Sequence, residues 1–154
     1  IAPAPGIDAG ARSFTVTSAP GLPYAIGDLD ETTLVRIDPA TRTSATIPMP
    51  APRGAYALDA ASRSLLVVTA DGVLQQITPV TGAVRAGVPA VTPFSLEGGF
   101  SVPRPSIAIG PERRVYVSDP AAGRVGEVAT NPLRVTRSIP VGGTPAGMAV
   151  VGTE

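Results

Sequence analysis

The chain has 154 residues, 44% of them hydrophobic and 16% charged, and its 12 arginines balance 12 acidic residues. A chain of this size and apolarity can bury a core, so disorder is excluded. Zero net charge without a dense basic run removes the main attraction for nucleic acid and for anionic membranes, and no apolar run is long enough to span a bilayer.

The residue types that are missing exclude several kinds of chemistry. The sequence contains neither cysteine nor histidine. Disulfides, thiolate metal sites, cysteine nucleophiles and any Ser-His-Asp triad within the chain are therefore excluded. Catalysis would depend on carboxylates, tyrosines or arginines, which favours a binding protein over an enzyme.

Glycine and proline indicate the fold class. The 18 prolines and 17 glycines would break helices or weaken them, whereas they suit short strands joined by turns. The opening Ile1-Ala2-Pro3-Ala4-Pro5-Gly6 has no initiator methionine and no charged leader. We therefore expect an all-β protein that has been processed and exported to the periplasm or outside the cell.

A four-strand pattern repeats along the chain. Residues 1–21 are expected to hold the end of a preceding blade and a linker, followed by a blade over 22–64. A second blade over 65–111 carries an inserted loop at 89–104, and a third occupies 112–154. Four strands per unit is the count of a β-propeller blade, and the insertion maps to a loop on the binding face.

Three blades do not close a propeller, which takes about 4 to 8. Residues 65–68, Leu-Leu-Val-Val, form an unbroken apolar run typical of a strand covered on both faces. We therefore expect the remaining blades of the same propeller to come from a longer protein, or from associated copies of this chain.

Turn chemistry marks the strand ends. Asp38-Pro39 and Thr78-Pro79 each place proline where its fixed φ begins a type I turn, after a side-chain oxygen able to bond the backbone two positions on. Asp28, Asp71 and Asp119 recur at the end of the first strand of their units, where an aspartate is expected to cap a turn.

Four residues are candidates for binding a ligand: Asp28, Phe100, Arg104 and Asp119. Arg104 lies between two prolines, so it is well placed to hold an anionic ligand, or to pair with an aspartate of an adjoining blade. Phe94 and Phe100 offer an apolar contact on the binding face, or simply anchor the loop.

Two acidic groups also have alternative interpretations. Asp28, Asp30 and Glu31 could offer oxygens to calcium or form a solvated turn, and they lack the pattern of an EF-hand. Asp119 and Glu127 could form an acid/base pair or serve structural capping.

The third unit resembles the blade repeat of YVTN-type bacterial propellers. The matching residues are 115–119, Val-Tyr-Val-Ser-Asp, and 139–150, Ile-Pro-Val-Gly-Gly-Thr-Pro-Ala-Gly-Met-Ala-Val. Residues 103–108 and 116–120 are also similar to the last blades of periplasmic zinc metallochaperones that serve zinc ABC transporters. That resemblance implies zinc as cargo and a periplasmic solute-binding protein as partner, although those proteins bind zinc through histidines as well as acidic residues.

The sequence thus supports a non-enzymatic binding propeller, with metal delivery as its sharpest form. The alternative is a propeller lyase or lactonase whose site lies in the central channel and is completed by residues outside this chain. The chain itself is expected to hold no cofactor, and zinc would belong to the complete protein.

Overall fold

A computed structural model describes residues 16–97 and 102–151. The strands are β1 (Val16–Ser18), β2 (Ala25–Asp30), β3 (Thr33–Asp38), β4 (Thr43–Pro48), β5 (Arg53–Asp59), β6 (Ser64–Thr69), β7 (Val73–Ile77), β8 (Val84–Pro89), β9 (Ile107–Ile109), β10 (Val115–Asp119), β11 (Arg124–Thr130) and β12 (Leu133–Pro140). They form three four-stranded antiparallel sheets, β1–β4, β5–β8 and β9–β12. The predicted all-β architecture is confirmed, and a short 3-10 turn lies at Pro111–Arg113.

The second sheet lies between the first and the third, and the side chains of β6 pack against both of them. Every residue of β6 is buried. Leu65 and Val67 pack into the cluster shared with the first sheet, whereas Leu66 and Val68 pack into the cluster shared with the third. Side chains alternate across a strand, so a strand covered on both faces must be apolar at consecutive positions. The prediction drawn from this run is confirmed.

The predicted turns form by two different means. Asp38 accepts hydrogen bonds from the amides of Ala40 at 2.9 Å and Thr41 at 3.2 Å, as its position before Pro39 predicts. At the second turn the acceptor is the carbonyl of Thr78, which binds the amide of Gly82 at 2.8 Å. The Thr78 hydroxyl is used elsewhere, since it accepts from Arg85 Nε at 2.7 Å.

The sheets begin one strand earlier than the predicted units. The unit predicted at 22–64 contains β2 to β5, but β5 pairs with β6 and belongs to the second sheet. Residues 16–18 form the first strand of the first sheet instead of closing a preceding blade. A repeat period gives the number of strands in a unit, but it does not determine the strand at which a sheet begins.

Because the sheets begin one strand earlier than predicted, the insertion 89–104 also has a different place in the fold. It lies between β8 and β9, and so connects the second sheet to the third instead of interrupting a blade. Residues 145–150 take the place in the repeat of β5 and β9, the first strand of a sheet, but they form no strand in the described structure. A first strand forms only against a second.

The first half of the insertion is fixed to the second sheet. Ala90 and Val91 donate their amides to the carbonyl of Gly72, and Phe94 donates to the carbonyl of Ala70 at 2.9 Å. A Cβ on Gly54 would lie 2.3 Å from Phe94 Cζ, so the ring lies directly on that glycine. Phe94 is therefore a hydrophobic anchor of the loop, while Phe100 lies outside the described residues.

The part of the chain that the structure describes contains no helix that is long and apolar enough to cross a membrane.

Candidate functional site

A cavity opens where the first strands of the three sheets meet. β1 contacts β5, and β5 contacts β9, so these strands lie along one side of the stack. In a propeller, the blades surround a central channel, and this side is where they converge. The cavity has a volume of about 330 Å³. It is lined by Thr17, Asp28, Arg53, Gly54, Ala55, Tyr56, Pro105, Ser106 and Ile107. We call it the Arg53 cavity.

Arg53 is the central charged group of this cavity, and its side chain is only 9% exposed. Its backbone amide donates to the carbonyl of Glu31 at 2.9 Å, which joins the start of β5 to the first sheet. Its guanidinium forms an ion pair with Asp28 and donates from Nη2 to the carbonyl of Asp30 at 2.9 Å. The Arg53 guanidinium also lies 5.1 Å from the centre of the Tyr56 ring, a cation–π contact.

The environment of Arg53 is unfavourable for an unpaired cation. Burial lowers the pKa of the guanidinium, the nearby Tyr56 raises it, and the positive charge of Arg104 lowers it further. Arginine nevertheless remains charged in proteins. The Nε group of Arg53 is buried and has no hydrogen-bond partner. The cavity therefore holds a charged donor that the protein does not fully satisfy.

Arg104, which the flanking prolines led us to expect in a restricted position, lies beside the same cavity. It is half-buried, and the next residue along the chain, Pro105, lines the cavity wall. Nη2 of Arg104 donates to the carbonyl of Leu96 at 3.0 Å, and its Nε is buried without a partner. The structure therefore brings two of the predicted residues, Asp28 and Arg104, to the surroundings of Arg53.

Asp119 lies elsewhere and holds the insertion. Its carboxylate accepts from the amide and hydroxyl of Thr92, both at 3.0 Å, and from the Ala122 amide at 3.2 Å. Arg124 adds donors at 3.1 Å and 3.0 Å. Burial raises the pKa of Asp119, but these hydrogen bonds outweigh burial and leave the pKa lowered. The capping expected of this aspartate is present.

The recurring pattern predicts that Asp28 caps a turn, but the structure pairs its carboxylate with Arg53 on the next sheet. Its neighbour Asp30 makes the turn instead, accepting from the amide and hydroxyl of Thr32 at 2.7 Å and 2.9 Å. These hydrogen bonds lower the pKa of Asp30. Among the described residues no three acidic side chains are placed to hold a metal ion, so the calcium interpretation of this segment is not supported.

The possible acid/base pair of Asp119 and Glu127 does not converge. Glu127 is opposite Tyr116 in the β10–β11 ladder, and Tyr116 and Asp119 are separated by an odd number of positions. Side chains alternate along a strand, so the two carboxylates point to opposite faces of the sheet. Glu127 pairs with Arg114 at 3.4 Å. The structural interpretation of both residues holds.

Sequence reasoning missed Arg53, the residue around which the cavity is arranged. Its partner Asp28 is on another sheet, so the pairing depends on how blades pack and not on local spacing. The available signal was an arginine beside small and aromatic residues in the strand Arg-Gly-Ala-Tyr-Ala-Leu-Asp. A charged residue that is buried in such a strand requires a partner.

No family model matches the sequence. The chain is 29% identical over 140 residues to the zinc chaperone AztD of Citrobacter koseri, a match that covers 90% of this chain and 33% of that protein. It therefore spans about one third of the length of the curated relative that it matches.

The solved structures agree with this similarity. The structure of apo AztD from Citrobacter koseri superposes with a TM-score of 0.77 at 27% identity, over 85% of this chain and 36% of that chain. A WD40 domain from Toxoplasma gondii coronin superposes with a TM-score of 0.64 over 84% of this chain and 34% of that chain, at 10% identity, which bears on fold alone. WD40 repeats form β-propellers. The three sheets are accordingly propeller blades.

Proposed function

We propose that this chain supplies three blades of an exported β-propeller that carries zinc and delivers it to a periplasmic solute-binding protein. The observation that carries the proposal is the similarity to the zinc chaperone AztD over 90% of the chain, with a TM-score of 0.77 for the corresponding structure. Both similarities extend through all three sheets, so they are not due to a single repeat. The YVTN-type repeat of the third unit belongs to the same proposal.

Zinc ligands are proposed to lie on blades outside this chain. The chain has no histidine and no cysteine, the residue types that most often bind zinc. Its described residues contain no group of three acidic side chains that could replace them. The three blades would then act as scaffold and as one side of the channel, and the remaining blades of the propeller are their first partners.

The described structure gives no support to a lyase or lactonase. The Arg53 cavity lies on the channel side, and Asp28 is the only carboxylate among the described residues that line it. Asp28 is already paired with Arg53. General acid/base chemistry by two carboxylates would need a second, free carboxylate at this position.

Transfer of zinc between two purified proteins tests the proposal. The intact protein is loaded with one equivalent of zinc and mixed with the metal-free solute-binding protein of a zinc transporter, in the presence of a chelator that captures free zinc. The two proteins are then separated, and the zinc in each is measured. Transfer in spite of the chelator supports direct delivery. Complete loss of zinc to the chelator contradicts it.

A further inference from the structure

We infer that one end of the three blades is a docking surface for an acidic segment of a partner protein. This end carries the loops 19–24, 39–42, 60–63, 78–83, 110–114 and 131–132, and we call it the arginine end. The inference is independent of zinc, since it rests on the charges and the backbone of these loops alone.

The strand pairing brings these loops to one end. Within each sheet, neighbouring strands are antiparallel and follow one another along the chain, so successive connections alternate between the two ends. Hydrogen bonds between sheets show which ends coincide. Arg113 Nη2 donates to the carbonyl of Ala61 at 3.4 Å at the arginine end, and the amide of Arg53 donates to the carbonyl of Glu31 at 2.9 Å at the opposite end. Residues that are far apart in the sequence therefore share one surface.

The charges of the described residues are divided unequally between the two ends. When each loop is counted with the two strand residues on either side, the arginine end has six arginines and three acidic residues. The arginines are Arg42, Arg63, Arg85, Arg113, Arg114 and Arg134, and the acidic residues are Asp38, Asp59 and Glu112. The opposite end has three arginines and five acidic residues. The net charge of the chain is zero, yet positive charge is concentrated at the arginine end.

The arginines of this end are accessible to a partner. All six are exposed. The side chains of Arg42, Arg63 and Arg134 form no ion pair with any residue that the structure describes. The carboxylates of Asp38 and Asp59 bind amides of their own turns instead. At the opposite end, two of the three arginines are in ion pairs with aspartates. Unneutralised positive charge is therefore a property of the arginine end.

The backbone at three of these arginines favours other residue types. Arg42, Arg63 and Arg113 have φ angles of 56°, 51° and 60°, in loops of three different sheets. Every other residue with a positive φ in the described part of the chain is a glycine. Left-handed backbone favours glycine and asparagine, so an arginine at each of these positions adds strain to its loop. We attribute the three arginines to the charge that they present at the surface.

The side chains of this end favour a protein as the acidic partner. Arg113 and Arg114 line a cavity of about 420 Å³, and Glu127 in its wall pairs with Arg114 at 3.4 Å. No carboxylate of the described residues binds Arg113, whose planar fork of donors matches a carboxylate of a partner. Val80 and Val84 lie at the same end and are 62% and 49% exposed. Arginine and apolar side chains without lysine are typical of protein–protein interfaces.

Fluorescence anisotropy of a labelled peptide that alternates glutamate and serine tests the inference on the intact protein. The buffer has low ionic strength and contains no metal, so exposed charges are not screened and the outcome does not depend on zinc. Arg63→Asn combined with Arg113→Asn removes two charges and places asparagine on the left-handed backbone that it tolerates. Arg124→Gln combined with Arg137→Gln is the matched control, because it removes the same charge from solvent-accessible side chains away from the arginine end. Thermal unfolding checks that both double variants are folded.

Saturable binding of the peptide is expected, with the dissociation constant raised at least fivefold by the asparagine variant and less than twofold by the control. A single-stranded oligonucleotide of the same charge and vesicles that contain phosphatidylglycerol are the competing probes, and both should bind more weakly than the peptide. Absence of saturable peptide binding overturns the inference, as does an equal loss of affinity in the two double variants. Tighter binding of the oligonucleotide or of the vesicles also overturns it.

Discussion

Asp28 on β2 and Arg53 on β5 form an ion pair that joins the first blade to the second. The pair lies on the channel side of the stack, in the wall of the Arg53 cavity. Apolar clusters also pack the blades against one another, but apolar side chains do not distinguish one blade orientation from another as sharply as a charged pair does. The pair therefore links the packing of the first two blades to the Arg53 cavity.

Asp28→Asn should destabilise the protein, because it leaves the Arg53 guanidinium buried without its counter-ion. Loss of one partner of a fully buried pair costs about 3–5 kcal/mol. Asp28 is 30% exposed, so water replaces part of what is lost, and a cost of about 1–3 kcal/mol is expected. Urea unfolding of the intact protein measures it. Glu31→Gln is the control, because it removes an exposed carboxylate from the turn that follows β2. Equal stability of the two variants would show that the pair contributes nothing.

Gly54→Ala should release the insertion from the second sheet. The new Cβ would lie 2.3 Å from Cζ and 2.6 Å from Cε2 of Phe94, so the ring must move. Overpacking of this kind costs about 1–3 kcal/mol. Hydrogen exchange should accelerate at the amides of Ala90, Val91 and Phe94, which bind the second sheet.

The control for this prediction is Gly147→Ala, because an added Cβ at Gly147 has no atom within 4 Å and its φ is not positive. Adding Phe94→Leu to Gly54→Ala should recover part of the lost stability, since the shorter side chain vacates the space. Unchanged exchange in Gly54→Ala would refute the proposed anchoring by Phe94.

Asp119→Asn should weaken the attachment of the insertion to the third sheet, at a cost of about 2 kcal/mol at neutral pH, because charge-assisted hydrogen bonds from Thr92, Ala122 and Arg124 are lost. The pKa of Asp119 is lowered from 3.8 on folding, so its ionised form stabilises the fold above that value. This contribution disappears as the pH falls through the folded pKa.

The stability difference between the wild type and Asp119→Asn should therefore narrow as the pH is lowered from about 5 to about 2. Denaturant titrations at several pH values measure that difference. Arg124→Gln is the control and should cost less, because the arginine is 43% exposed and its partner keeps the other donors. A difference that is constant with pH would show that folding does not lower the pKa of Asp119.

The affinity of the intact protein for zinc should not depend on the carboxylates of Asp30 and Glu31, in the turn after β2. Asp30→Asn combined with Glu31→Gln removes two carboxylates, yet Asp30 already binds Thr32 and no acidic group of three forms among the described residues. The dissociation constant for zinc, measured by competition with a chromophoric chelator, should change less than twofold. A tenfold loss of affinity would place a zinc ligand in this turn.

The sequence predicted the type of architecture well because its main signals are local. The buried run in β6 and the proline turn after Asp38 each depend on residues that are close along the chain. The strand at which each sheet begins was not predictable in this way. β5 comes between β4 and β6 in the sequence, and local residues do not decide whether it ends the first sheet or begins the second. Only the hydrogen bonds of β5 to β6 decide to which sheet it belongs.

The ligand-binding roles of Asp28, Phe100, Arg104 and Asp119 stay predictions, and only local signals could suggest where such residues lie. Arg104 was recognised from its flanking prolines, which restrict it locally. Arg53 was not recognised, because its burial and its pairing with Asp28 arise from the packing of two blades. Phe100 lies outside the described residues, and Asp119 accepts hydrogen bonds from Thr92 of the insertion and from Ala122 and Arg124 of its own sheet.

Native mass spectrometry of the intact protein in metal-free buffer, before and after addition of one equivalent of zinc, is the decisive measurement for the proposed zinc carrier. We expect a single propeller polypeptide, or an assembly that completes the propeller, carrying a saturable zinc adduct. The histidines of its other blades should be required for that adduct, and no acidic residue of the present chain should be. A complete propeller that takes up no zinc would contradict the proposed zinc carrier.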